Sequence, residues 1–219
     1  MKHGVLFFDL DDTLYPPDSG LWPAIQERMG LFMEERLGLS PEVIPALRRR
    51  YYETYGTTLR GLQTYHQVDA DDFLTYVHDL PVENFLSPAP RLREILLSLP
   101  QSCWVFTNAS AGHAHRVLEV LGVRECFAGV IDIFALDFAC KPEAQAYWRA
   151  LSLAGETDPR RAVLFEDSLR NIVPARQLGF TTVLVSSNGS SENAADYTLP
   201  SLLELPDTMP GLFASGLDG

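Results

Sequence analysis

The sequence predicts an α/β protein: a Rossmann-like parallel sheet core with helices on both faces, plus an inserted all-helical cap subdomain. Three observations lead there. Val5-Leu6-Phe7-Phe8 is an unbroken run of large apolar residues, as expected of a strand covered on both faces. Further apolar runs at Cys103-Trp104-Val105-Phe106, Ala162-Val163-Leu164-Phe165 and Thr182-Val183-Leu184-Val185 alternate with helix-period segments, the pattern of a doubly covered parallel sheet. Between the first run and the second, residues 15–89 hold no strand pattern.

The first strand ends in Asp9-Leu10-Asp11-Asp12-Thr13-Leu14, and the prolines and glycine of Tyr15-Pro16-Pro17-Asp18-Ser19-Gly20 then carry the chain out of the sheet. Leu21, Ile25, Met29, Phe32, Met33 and Leu37 recur at helical steps, giving a helix over 21–37. Ser40-Pro41 predicts the next helix start, with Ser as N-cap and Pro in the first turn, running to Tyr55 before Gly56. Two shorter helices follow over 58–66 and 70–79. Beyond the turn at Leu86–Pro90, the order is helix 91–99, strand 103–106, helix 112–121 stopped at Gly122, strand 130–134 and helix 142–153. Strand 162–165, helix 171–178 stopped at Gly179 and strand 182–185 complete the alternation. The polar run 186–196 reads as a loop, 197–199 as a short edge strand, and 206–219 as a fraying tail. The chain thus divides into a core of residues 1–14 and 90–219 and a helical cap of residues 15–89.

A length of 219 residues suits one domain of moderate size, or one domain carrying an insert. The net charge of −12, from 17 basic and 29 acidic residues, argues against a nucleic-acid polymer or an anionic membrane as partner. Only a short apolar run precedes Asp9 and no run approaches the roughly 18 residues of a membrane span, which points to a cytoplasmic location. Cys103, Cys126 and Cys140 are scattered and read as reduced thiols. Monomer and dimer both remain open.

Chemistry is concentrated at strand ends. Ligands of open α/β sheets bind beyond the carboxyl ends of the strands, where this chain sets Asp9 and Asp11. Alternation along an extended chain would turn these two to one side and Asp12 to the other. Two carboxylates about 4 Å apart repel by about 4 kcal/mol at an effective dielectric near 20, so a cation is expected between them. Thr107-Asn108 end the second strand, Lys141 opens a helix, and Glu166-Asp167 end a later strand. Taken singly, each has a plainer reading as a helix cap or a solvated residue before a helix. Taken together and in this order, they describe a hydroxyl and an amide to hold phosphate oxygens, a lysine to neutralise them, and acids to share a Mg²⁺.

Asp9-x-Asp11-x-Thr13, Thr107, Lys141 and Glu166-Asp167 resemble, in order and spacing, the motifs of the haloacid dehalogenase-like (HAD) hydrolases. Flanking segments, among them Leu14-Tyr15-Pro16-Pro17-Asp18-Ser19-Gly20-Leu21, Arg60-Gly61-Leu62 and Phe165-Glu166-Asp167-Ser168-Leu169-Arg170-Asn171, look like the pyrimidine 5'-nucleotidase branch. The resemblance implies a Mg²⁺-dependent phosphomonoesterase acting on a small phosphorylated metabolite, foremost a nucleoside monophosphate. Asp9 would be the nucleophile that forms an aspartyl-phosphate, and Asp11 the general acid and base. Thr107, the Asn108 main chain and Lys141 would hold the phosphoryl group. Mg²⁺ would sit between Asp9, the main-chain carbonyl of Asp11 and Asp167. Glu166 would lie beside the ion or reach it through water; the family often has two Asp residues where this chain has Glu166-Asp167, and the longer Glu leaves direct ligation open. A sugar-phosphate phosphatase or phosphomutase would keep the same core residues, and a catalytically idle binding protein would keep only the fold. Haloacid dehalogenation is disfavoured, since it has no use for Asp11, Mg²⁺ and a phosphate-holding Thr107. In the cap, Arg60, Tyr65 and His66 offer a cation, an aromatic face and a hydrogen-bonding ring for a base. Their plainer reading is a solvated charge beside residues that pack the cap.

Overall fold

β1 (Val5–Phe8) lies in the middle of a wholly parallel sheet and is buried along its whole length. The computed structural model describes residues 3–186 and 194–213. Its strands after β1 are β2 (Ser102–Phe106), β3 (Gly129–Ile131), β4 (Ala162–Glu166), β5 (Thr181–Val185) and β6 (Tyr197–Leu199). They are ordered β3-β2-β1-β4-β5-β6. β1 pairs with β2 on one side and β4 on the other, with Phe8 level with Val105 and Phe165. The strand order therefore reverses beside β1, and such switch points open a crevice beyond the strand ends. Asp9, Thr107 and Glu166 are delivered to it by three adjacent strands.

Side chains of β1 alternate between two cores. Leu6 and Phe8 pack with α5 (Pro90–Leu97), α6 (Ala111–Leu121) and the C-terminal segment, while Val5 and Phe7 pack with α7 (Ala144–Leu153) and α8 (Leu169–Leu178). Burying each such side chain is worth about 1.5–3 kcal/mol, which explains why the strand is apolar on both sides. Phe8 also stacks on Phe165, with ring centroids 4.4 Å apart.

Between β1 and α5 stand α1 (Leu21–Glu35), α2 (Ile44–Tyr55), α3 (Thr58–His66) and α4 (Ala70–Val77), and no strand occurs there. They enclose a third core of Phe32, Met33, Ile44, Tyr51, Leu59, Leu62, Phe73 and Leu74, which Ile133 and Cys140 from the sheet region join. α3 and α4 are capped by Thr57 and Asp69, whose side chains accept from the amides of Arg60 and Asp72.

Four local expectations need correction. Ser40 does not cap α2: residues 41–43 form a turn closed by Val43 N–H donating to the Ser40 carbonyl at 3.0 Å, and the helix begins at Ile44. β3 stops at Ile131 because Asp132 bonds the amides of Ala111 and Ala135, both at 2.8 Å, and so turns the chain away from the sheet. The α7 helix starts at Ala144, after a cis Lys141–Pro142 bond, and not at Pro142. The tail does not fray over its described part, since α9 (Leu205–Thr208) and the following turn bury Leu205, Met209 and Leu212 against the core. Most of the expected 186–196 loop and the end of the tail lie outside the described residues.

Gly61 gives a test of the helical insert. A Cβ added there would stand 2.1 Å from Cγ of Tyr51, so α2 and α3 approach through this glycine. In a free helix Gly→Ala stabilises by about 1 kcal/mol. Here Gly61→Ala should instead destabilise by about 1–3 kcal/mol through overpacking, read as a lower midpoint in chemical denaturation. A raised midpoint would mean that α2 and α3 do not pack this closely.

Candidate active site

Asp9 leaves β1 still tied to the sheet, its amide donating to the Phe165 carbonyl at 2.9 Å. The chain then turns, with the amides of Thr13 and Leu14 both donating to the Leu10 carbonyl, so strand alternation does not extend to Asp11 and Asp12. Asp12 takes a left-handed φ of 62°, a conformation that Asp tolerates better than most residues.

Lys141 reaches the site from the loop before α7. Its ammonium is 1% exposed and donates to Asp9 Oδ1 at 2.7 Å and to Glu166 Oε2 at 2.6 Å. The Lys141 backbone is clamped by Asn108, whose side-chain Oδ1 accepts from Lys141 N–H at 2.9 Å while Nδ2 donates to the Lys141 carbonyl at 3.0 Å. Thr107 is buried beside it, and its hydroxyl oxygen accepts from the Ala109 amide. Glu166 uses its other oxygen to accept from Ser168 N–H at 3.2 Å. Carboxylate oxygens of Asp9, Glu166 and Asp167 lie within 4.8 Å of one another.

One ammonium cannot balance three crowded carboxylates. Burial, then Glu166, pushes Asp9 up to about 7 against the pull of Lys141. Burial likewise raises Glu166 to about 7 and Asp167 to about 6. Lys141 is held above its ordinary value, because Asp9 and Glu166 outweigh its own desolvation. The oxygen-only donor set and the excess of negative charge fit a hard divalent cation.

Asp11 occupies a different environment. Its Oδ1 accepts from Tyr15 OH at 2.5 Å and meets Nε2 of buried His113 at 2.9 Å. Burial raises the Asp11 carboxyl, but His113 and the Tyr15 hydroxyl more than reverse this and leave it below the usual range. The His113 ring stacks on His78 from the end of α4, at 4.2 Å between centroids and 10° between planes. Burial, then His113, lowers His78 to about 3.

The structure therefore gathers Asp9, Lys141, Glu166 and Asp167 at one point, with Asn108 fixing the lysine and Thr107 at the neighbouring strand end. Arg60, Tyr65 and His66 have other partners. Arg60 donates to the Phe138 carbonyl at 2.9 Å and to Glu143 at 2.8 Å, beside an open cleft of about 470 Å³. Tyr65 is 51% exposed, stacks on Tyr51 and shares a hydrogen bond with Tyr55, while His66 meets the Tyr51 hydroxyl at 3.0 Å. His78, His113 and Tyr15 were not singled out from the sequence as site residues. Tyr15 stands one helical turn after Asp11, a spacing that could have revealed it. The two histidines lie 35 positions apart, and no local pattern links them.

A sheet switch point with a carboxylate-lysine cluster at its strand ends defines a class of hydrolase, and residues 4–179 match the model of the haloacid dehalogenase-like hydrolase family. The chain belongs to that family. It is 28% identical over 194 residues to Phosphate metabolism protein 8 of Saccharomyces cerevisiae, covering 82% of this chain and 60% of that protein. The chain thus spans less than two thirds of this curated relative. Among solved structures it resembles a HAD phosphatase from Thermococcus onnurineus, with a TM-score of 0.62 and 24% identity over 94% of this chain and 97% of that one. It also resembles the L-2-haloacid dehalogenase of Xanthobacter autotrophicus, with a TM-score of 0.60 and 16% identity over 96% and 99% of the two chains. These structural likenesses establish the shared fold.

The crowding of charge has a measurable sign. Asp167 is raised from 3.8 to about 6, so between those values the folded state keeps a proton that the unfolded chain has released. Stability therefore falls as pH rises through that window. In excess chelator, wild-type protein should lose melting temperature relative to Asp167→Asn as pH rises from about 4 to about 6, and a divalent cation at neutral pH should recover the loss. Parallel melting curves for the two proteins would contradict the shared site.

Proposed function

We propose that this chain is a Mg²⁺-dependent phosphomonoesterase that works through an aspartyl-phosphate. The observation that carries this reading is the separation of two neighbouring carboxylates into different environments: Asp9 on the Lys141 ammonium beside Glu166 and Asp167, and Asp11 on His113 and Tyr15. Carboxylates whose surroundings push them apart are suited to separate roles as nucleophile and as acid or base.

In this mechanism an Asp9 carboxylate oxygen attacks phosphorus, the bond from phosphorus to the ester oxygen breaks, and that oxygen takes the Asp11 proton. An arriving phosphate dianion favours the protonated form of Asp11 by like-charge repulsion, which offsets its lowered starting value. Asp11 then takes a proton from the water that attacks phosphorus, releasing inorganic phosphate and restoring Asp9. The Thr107 hydroxyl, the Asn108 main chain and the Lys141 ammonium hold the phosphoryl oxygens as they transfer. Asp9, the Asp11 carbonyl and Asp167 would hold the Mg²⁺, whose contribution when bound is to neutralise the phosphoryl oxygens. Glu166, with one oxygen on Lys141 and the other on Ser168 N–H, is better suited to a contact through water than to direct ligation.

Residues 15–89 are proposed to act as the cap that shields the reacting group from water and reads the leaving group. Pyrimidine nucleoside monophosphates are the favoured substrates, on the strength of the flanking motifs. A cytoplasmic setting agrees with three free cysteines. Arg60, engaged with Glu143 and Phe138, would seat the cap on the core, leaving the exposed Tyr65 ring and His66 as candidates for base contact.

Asp9→Asn should fold normally and lose at least about 10⁴-fold in turnover, because the uncatalysed hydrolysis of phosphate monoesters is extremely slow. Chelator should silence the wild type and Mg²⁺ should restore it. Folded Asp9→Asn protein with near-normal turnover would sink the nucleophile assignment. A phosphate-release panel led by hexose phosphates, with UMP and CMP behind, would favour the sugar-phosphate alternative on the same catalytic core.

A further inference from the structure

We infer that His113, with Tyr15, is a positioning residue that clamps one oxygen of Asp11 and leaves the other facing the ester oxygen, and that the cap holds this clamp in place through His78. The inference rests on the phosphomonoesterase reading and adds to it the residues that aim the general acid.

Both donors converge on the same atom. Tyr15 OH lies 2.5 Å and His113 Nε2 2.9 Å from Asp11 Oδ1, which leaves Oδ2 as the oxygen available to carry the proton. Two donors on one oxygen fix the plane of the carboxylate as well as its position, since rotation about the Cβ–Cγ bond would break both bonds. A protonated carboxyl can donate only from one oxygen, so fixing Oδ1 as the acceptor decides where its proton points.

The His113 ring is itself held from two sides. Its backbone N–H donates to the oxygen of Ser110, the N-cap of α6, and its face lies on the His78 ring. His78 Nδ1 meets the Ser110 hydroxyl at 3.2 Å, and Arg116 donates to the His78 carbonyl. His113 Nδ1 is buried without a hydrogen-bond partner among the described residues. Among the described residues the ring thus makes a single hydrogen bond through its nitrogens, the one to Asp11. A buried ring that leaves one nitrogen unsatisfied has a poor rationale as packing alone, because an apolar side chain of that size would carry no desolvation cost. His78 ends α4 of the insert whereas His113 belongs to the core, so the stack joins the aim of Asp11 to the seating of the cap.

Misaiming the acid should matter most for esters whose leaving oxygen needs the proton. The test compares kcat/KM, which reports steps through the first bond cleavage, for p-nitrophenyl phosphate and for whichever alkyl phosphate the substrate panel ranks first. His113→Leu and Tyr15→Phe should each lower kcat/KM on the alkyl ester about 100-fold, the low end of what general acid catalysis supplies, and on the aryl ester less than about tenfold. His113→Gln, whose amide nitrogen can take the place of Nε2, should recover most of the alkyl-ester loss. Tyr15→Phe keeps the ring and needs no repacking, so it answers the question even if His113→Leu fails to fold. Equal losses on the two esters, or no loss in folded variants, would overturn the inference while leaving the phosphatase standing. A wild type silent on both esters with Mg²⁺ present would remove the phosphatase reading and this inference with it.

Discussion

The site depends on a buried ammonium shared between two buried carboxylates. β1 and β4 are adjacent and in register, so their ends bring Asp9 and Glu166 together whatever else the chain does. Without Lys141 the two would repel strongly in a place where water screens little. The lysine comes from a loop remote in sequence, and its Nζ also lies 5.0 Å from the Phe106 ring centroid. Removing one partner of such a buried pair typically costs about 3–5 kcal/mol, because the remaining charge is left uncompensated. Asn108 matters for the same reason: by binding both the amide and the carbonyl of Lys141, it fixes the backbone from which the ammonium extends.

The cap and core meet around this centre on two sides. On one, Arg60 binds Glu143 and the Phe138 carbonyl, Arg170 donates to the Glu53 carbonyl at 2.9 Å, and Cys140 Sγ approaches the Tyr55 carbonyl. Gly56 lies there too, at φ +88°, where an added Cβ would stand 2.9 Å from the Lys141 carbonyl. On the other side, His78 rests on His113 and Ser110. The insert therefore touches both the loop bearing Lys141 and the one leading into α6.

Most of the architecture was legible because its signals are local. Continuous apolar runs bounded by polar or turn residues marked β1, β2, β4 and β5, and the absence of such runs over 15–89 marked the helical insert. The strand-end residues were legible for a related reason: in a parallel sheet, sequence position at the end of a strand is already spatial position. The errors arose where a side chain overrode a backbone pattern. Asp132 ended β3 by bonding the amides of Ala111 and Ala135, whereas its place between Ile131 and Ile133 reads as ordinary strand alternation. The tail looked irregular by its Pro and Gly content, yet Leu205, Met209 and Leu212 were enough to anchor it. His78 and His113 could not be read as a pair at all, since their stacking exists only after α4 and α6 have packed.

The most direct test concerns Asp9, the proposed nucleophile within this charge cluster. Wild-type protein mixed with substrate and Mg²⁺, quenched in acid within the first turnover and digested, should yield the peptide containing Asp9 carrying a phosphoryl group on that side chain. With p-nitrophenyl phosphate, whose leaving group needs no proton to depart, Asp11→Asn should accumulate the adduct, because the water that clears it would lack its base. A quenched enzyme caught during active turnover with no phosphoryl group on Asp9, or with the group on another residue, would contradict it.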